Sequence, residues 1–108
     1  GPYFLPAIPY DAEAVGKNWK DPTAAAEILG AVREVLADAE WAPATLEPAL
    51  RELAEARGLG AGKLFQPLRV ALTGLSVSPG IFEVLEMQGR PLALQRIDQA
   101  VEWLRSHT

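Results

Sequence analysis

The stretch KLFQPLRVALTGLSVSPGIFEVLEMQG, Lys63 to Gly89, decides how this chain folds. Two apolar pieces flank a polar joint, Thr73-Gly74-Leu75-Ser76-Val77-Ser78-Pro79-Gly80. Leu64, Phe65, Leu68, Ala71 and Leu72 recur at three- and four-residue steps, which places them on one face of a helix. Pro67 falls inside that run. Proline lacks an amide hydrogen and crowds the preceding turn, so it is tolerated in a first turn or at a kink. The expectation is therefore two short pieces, or one helix starting near Gln66. Gly74 ends it as a left-handed cap. Ser78 then caps a second helix whose first position is Pro79. Ile81, Phe82 and Leu85 form its apolar face, and Gly89 closes it. Arg69 is the only charge between Lys63 and Glu83. This is the pattern of a packed core element that presents a surface loop.

Working outward, Tyr3 to Tyr10 carries two prolines and no helical period. Residues 1–10 are expected to be a lead-in from a preceding domain, with Gly1-Pro2 a cleavage scar and 11–108 the helical domain. Asp11 caps a short helix, Ala12 to Trp19. Asp21-Pro22 is a second start signal, for a helix running to about Ala39. Its apolar stripe is Ala25, Ile28, Leu29, Val32, Val35 and Leu36. Gly30 either weakens it, by up to about 1 kcal/mol against alanine, or permits close packing. Trp41 precedes Pro43, which starts a third helix to Arg57, with Leu46, Leu50, Leu53 and Ala54 inward. Gly58 ends it, and Gly60-Ala61-Gly62 is expected to be a flexible turn. After the central stretch, Pro91 starts a last helix. Leu92, Leu94, Ile97, Val101 and Leu104 are expected to face inward, with Trp103 at the core edge. No stretch alternates long enough for a strand, and no Asn-Gly or Asp-Gly hairpin signal occurs. The fold class is all-α: a compact, irregular, cage-like bundle of about six helices without a sheet.

With 108 residues the chain is one domain, and about half of it is hydrophobic, enough for a modest core. The absence of cysteine rules out disulfides and thiolate catalysis and fits a reducing, cytoplasmic setting. No apolar run approaches the roughly 20 residues that span a bilayer. The net charge of −4 argues against a generic nucleic-acid binder. Its distribution is uneven. Residues 1–60 hold ten acids and five bases, and residues 61–108 hold four acids and five bases. A polyanion, if one binds, belongs on the second half. Composition alone favours a solvated acidic surface with no partner.

Catalytic and metal chemistry find little support. His107 is the only histidine, is penultimate, and is expected to fray. Glu83 and Glu86 share one helix face, but first-turn acids that favour the helix dipole are the simpler explanation. Ser76 and Ser78 have no base beside them. Gly58-x-Gly60-x-Gly62 has neither the spacing nor the preceding strand of a dinucleotide loop. No convergent ligand set for a metal is apparent.

The run PLRVALTG, a short joint, then SPGIFEVLE and a glycine resembles the C-terminal anticodon-binding region of bacterial glutamyl-tRNA synthetases. Weaker similarity extends over nearly the whole chain, through Tyr10-Asp11, Trp19 and Trp41. The family's HIGH and KMSKS signatures are absent; they belong to an N-terminal catalytic domain, which would use ATP and magnesium. The resemblance implies a non-catalytic module without a cofactor of its own. Its partners would be the anticodon loop of a tRNA and that catalytic domain, with no DNA and no membrane, and the chain a monomer. Anticodon bases are single-stranded and are read by stacking and by base-edge hydrogen bonds. An arginine fork suits that task. From the residues alone, Arg69 is equally a structural tie and a ligand contact, and Ile81 and Phe82 are core. Carried over from the family, the positions on the first two anticodon bases are Arg69, Ser78, Pro79 and Ile81. Thr73, Gly80 and Phe82 are supporting positions, Phe82 from inside. Leu75 stands where the family often has a basic residue, so a phosphate contact is in doubt. Met87-Gln88 replaces a usual leucine pair. The competing expectation is a free-standing helical protein-interaction domain without RNA binding.

Overall fold

The computed structural model describes residues 7–108. Asp11 opens α1, Ala12–Asn18, by accepting the Ala14 amide at 3.0 Å. Asp21 opens α2, Pro22–Asp38, by accepting the Ala24 amide at 3.1 Å, with Pro22 at the helix start. Each carboxylate satisfies an amide that has no partner within its own helix. Pro43 starts α3, Pro43–Ala56, and Gly58 follows it with φ +68°. Helix α4 is Ala61–Thr73, closed by Gly74 at φ +77°. Helix α5, Ile81–Arg105, is broken at Gly89, where φ is +80° and ψ 163°. The chain thus has five helices among the described residues rather than about six, and the Gly89 break before Pro91 accounts for the difference. No strand occurs among the described residues.

Helix α5 lies along α2 and against α4, and α3 and α1 close the remaining sides. Leu29, Val32, Leu36, Leu46, Leu50, Leu64, Leu68, Leu72, Leu85, Ile97 and Leu104 are fully buried. Burying each such side chain contributes roughly 1.5–3 kcal/mol before chain entropy is counted. Among the described residues no helix is long and apolar enough to cross a membrane.

Several local expectations are corrected, and for Gly30 one of two alternatives is set aside. Helix α4 runs unbroken through Pro67, and it starts at Ala61, so Gly60 alone remains outside it. Pro67 is buried against α1, and its carbonyl accepts the indole N–H of Trp19 at 3.1 Å. That long-range packing holds a helix that local propensity would end. Ser78 is no cap: Gly80 takes that position, no side chain caps α5, and Pro79 lies outside the helix. The buried face of the last limb is Ala93, Ile97, Ala100 and Leu104; Leu92, Leu94 and Val101 are only partly covered. A Cβ on Gly30 would meet open space, so close packing is not its reason. His107, expected to fray, stacks on Trp103 with ring centroids 3.6 Å apart.

Candidate nucleic-acid interface

The joint between α4 and α5 is held from three directions. Gly74 is positioned by the lead-in: its carbonyl accepts the Asp11 amide at 2.8 Å. A Cβ at Gly74 would fall 2.1 Å from the Pro9 carbonyl oxygen, so only glycine fits there. Tyr10, beside that contact, packs edge-on to Trp19 and Trp103, at 4.8 and 5.6 Å between ring centroids. Burial there pushes the Tyr10 phenol above its usual range, and Arg96 partly counters that. The end of α4 is secured from α5. Gln88 and Arg96 both donate to the Leu72 carbonyl, at 2.9 and 3.0 Å. Thr73 closes the turn itself, donating to the Arg69 carbonyl at 2.7 Å and accepting the Leu75 amide at 3.1 Å.

Arg69 sits at the centre of this joint, half-buried. Its Nε donates to the Ser78 hydroxyl at 2.7 Å, and a terminal nitrogen donates to the Gln66 side-chain oxygen. The Ser78 hydroxyl in turn donates a hydrogen bond to the Pro79 carbonyl at 2.7 Å. Gln66 donates in turn to the Ser76 carbonyl at 3.3 Å. Two of the five guanidinium donors are engaged this way, which leaves the rest of the fork available. Among the described residues Arg69 forms no ion pair. Its guanidinium is therefore held in place by neutral groups, with no carboxylate in contact among the described residues.

The structure sorts the candidate positions. Arg69, Ser78 and Pro79 come together on the joint. Ile81 does not join them: its side chain is 5 % exposed and belongs to the core. Phe82 is only partly buried and meets Phe65 edge-on at 5.5 Å. The exposed apolar residues of the joint are Pro79 with Leu75 and Val77, the last two 52 % and 81 % exposed. Sequence reasoning treated Leu75 only as a missing basic residue and passed over Val77. The signal was present, since neither has an apolar partner at helical spacing within the joint. Glu83 and Glu86 both lie exposed, Glu83 in the first turn of α5. Among the described residues no three His, Cys, Asp or Glu converge.

The basic residues of the second half divide in two. Arg90 donates to the carbonyls of Leu36, Ala37 and Ala39, the last two at 3.0 and 2.7 Å, and lies over the Trp41 ring at 5.0 Å. Arg96 is tied to Leu72. Both close helix ends, Arg90 with both terminal nitrogens engaged and Arg96 with one.

The family described as an anticodon binding domain matches residues 1–101. A glutamate–tRNA ligase of Moorella thermoacetica is 38% identical over 97% of this chain and 21% of its own length. Glutamate–tRNA ligase 2 of Paramagnetospirillum magneticum is 48% identical over 89% of the chain and 20% of its own length. The crystal structure of a glutamate tRNA ligase from Elizabethkingia meningosepticum, in complex with its amino acid, superposes with a TM-score of 0.84. It is 31% identical over 92% of this chain and 20% of that one. The chain thus spans about a fifth of the length of the relatives it matches.

Proposed function

The chain belongs to the anticodon binding domain family, and from that premise we propose that it is the tRNA-reading module of a glutamate–tRNA ligase. The observation that carries the proposal is Arg69. Its guanidinium is oriented by Ser78 and Gln66, has no carboxylate partner among the described residues, and adjoins the exposed Leu75, Val77 and Pro79. A fixed, planar, partly free donor fork next to an apolar shelf suits an unstacked base: the fork bonds the edge and the shelf covers the face. Arg69 and Pro79 are the contact residues. Ser78, with its hydroxyl already donating and accepting, positions Arg69. Ile81 contributes through the main chain of the α5 start, where the amides of the first turn suit a phosphate. Thr73, Gly80 and Phe82 shape the joint.

In the parent protein, residues 1–10 lead in from an N-terminal catalytic domain. That domain holds ATP and magnesium and attaches glutamate to the tRNA, while this module supplies no catalytic group. The setting is the cytoplasm, and the module acts as a monomer on tRNA and not on DNA.

Titrating the chain with tRNA bearing a glutamate anticodon, and following amide chemical shifts, tests this. Shifts are expected at Arg69 and across residues 74–82. No shifts at high tRNA excess would instead favour a helical protein-interaction domain.

A further inference from the structure

A cleft of about 570 Å³ opens between the α1–α2 elbow and the start of α4. Lys17, Lys20 and Lys63 line it, and they are the only lysines in the chain. All three are exposed, and none forms an ion pair among the described residues. Asp21 is the one acid in the wall, and its carboxylate already accepts the Ala24 amide. In a chain of net charge −4, this gathers three unneutralised cations around one concavity.

Two features of α4 add to the charge. Lys63 lies in its first turn, where the helix dipole disfavours a cation. Helix stability does not favour a lysine there, whereas an anion bound beside it would offset the dipole. The same turn starts at Gly60 with no side-chain cap, and Gly62 borders the cleft. The Lys63 amide donates to the Gly60 carbonyl at 2.9 Å, and the turn's other amides and the lysines beside them are the two donor types that hold a phosphate.

One side chain, Gln66, links the cleft to the joint. It lines the cleft while accepting from Arg69. Lys63, Gln66 and Arg69 follow one another at one-turn steps on α4, so Lys63 and Arg69 are about 9 Å apart along the helix. A single RNA strand can span that distance.

We propose that the lysine cleft holds a backbone phosphate of the RNA strand whose base is read at Arg69. The proposal rests on the RNA-binding reading above. It also provides, on another element, the phosphate contact that Leu75 does not supply.

The test compares the chain with a Lys17→Gln/Lys20→Gln/Lys63→Gln variant and with Arg69→Lys. Binding of tRNAs differing at one anticodon base is measured across a salt series. Because the three lysines are exposed, the triple variant should melt at an unchanged temperature. It should lose about tenfold or more in affinity for every tRNA alike. Its log–log salt slope should be shallower by roughly 0.7 for each single-strand phosphate released. Unchanged affinity and slope in the triple variant, with base preference still dependent on Arg69, would overturn the cleft and leave the anticodon reading intact. An altered base preference in the triple variant with an unchanged slope would also overturn it. Failure of the unsubstituted chain to bind any tRNA would overturn both.

Discussion

Arg69 and Arg90 lie on consecutive helices, each reaching out to partners beyond its own turn, yet they do different work. Arg90 meets main-chain carbonyls at the end of α2, more than fifty residues away, and stacks on Trp41. Those acceptors are fixed and would otherwise lack partners, so Arg90 is a rivet. Arg69 meets two side chains, Ser78 and Gln66, within ten residues of itself. Neither acceptor carries a charge, and part of the fork stays free. A guanidinium placed on helix-end carbonyls stabilises the fold. On the proposed reading, one placed on nearby side chains beside exposed apolar residues is poised for a ligand. What distinguishes them is the acceptor and the neighbourhood, not burial, since both are partly covered.

The strongest way to break the contrast is at the joint's foundation. Gly74→Ala puts a Cβ against the Pro9 carbonyl and forces an unfavourable φ. A loss of about 3 kcal/mol or more is expected, combining left-handed strain with the ejected lead-in. Urea unfolding measures it, and tryptophan fluorescence should report Tyr10 leaving Trp19 and Trp103. Arg90→Met should cost about 2–4 kcal/mol, because it strands the carbonyls at the end of α2. The surviving folded protein should keep its RNA selectivity, which a loss of selectivity on titration with anticodon variants would contradict. Phe82→Ala removes a half-buried ring from Phe65. A loss of about 1.5–3 kcal/mol is expected, below the full core value. An unchanged melting temperature would move Phe82 out of the scaffold. Gly30→Ala sharpens the baseline. With open space around the new methyl, it should stabilise α2 by about 0.5–1 kcal/mol, read as a small rise in melting temperature.

Helix starts and stops were legible wherever the signal is local. Asp11, Asp21-Pro22 and Pro43 open helices through groups within three residues of the break, and Gly58, Gly74 and Gly89 all take positive φ. The misses have distant causes. Pro67 stays helical beneath Trp19, 48 residues away in sequence. Ser78 looks like a cap until its hydroxyl is taken by Arg69. Ile81 and Phe82 are adjacent, and only the roll of α5 decides that Ile81 turns inward while Phe82 stays partly open. The last limb buries alanines at helical spacing rather than the bulkier leucines beside them, because α5 lies close along α2. Arg69, Ser78 and Pro79 lie within eleven consecutive residues, which is why the folded joint brings them together; the family resemblance, rather than their spacing, singled them out. Leu75 and Val77 showed in the sequence only as apolar residues without partners at helical spacing; their exposure is a property of the folded joint.

The central claim is that Arg69 faces a base and not merely its own loop. Arg69→Lys tests it most directly, with melting temperature and binding of tRNAs that differ at one anticodon base measured on the same preparation. Lysine keeps the charge but not the planar fork. The expected result is a folded domain with nearly unchanged melting temperature, affinity for the glutamate anticodon reduced by about 1–3 kcal/mol, and relaxed discrimination at one anticodon position. A destabilised domain whose base preference is unaltered would contradict the claim and make Arg69 a rivet like Arg90.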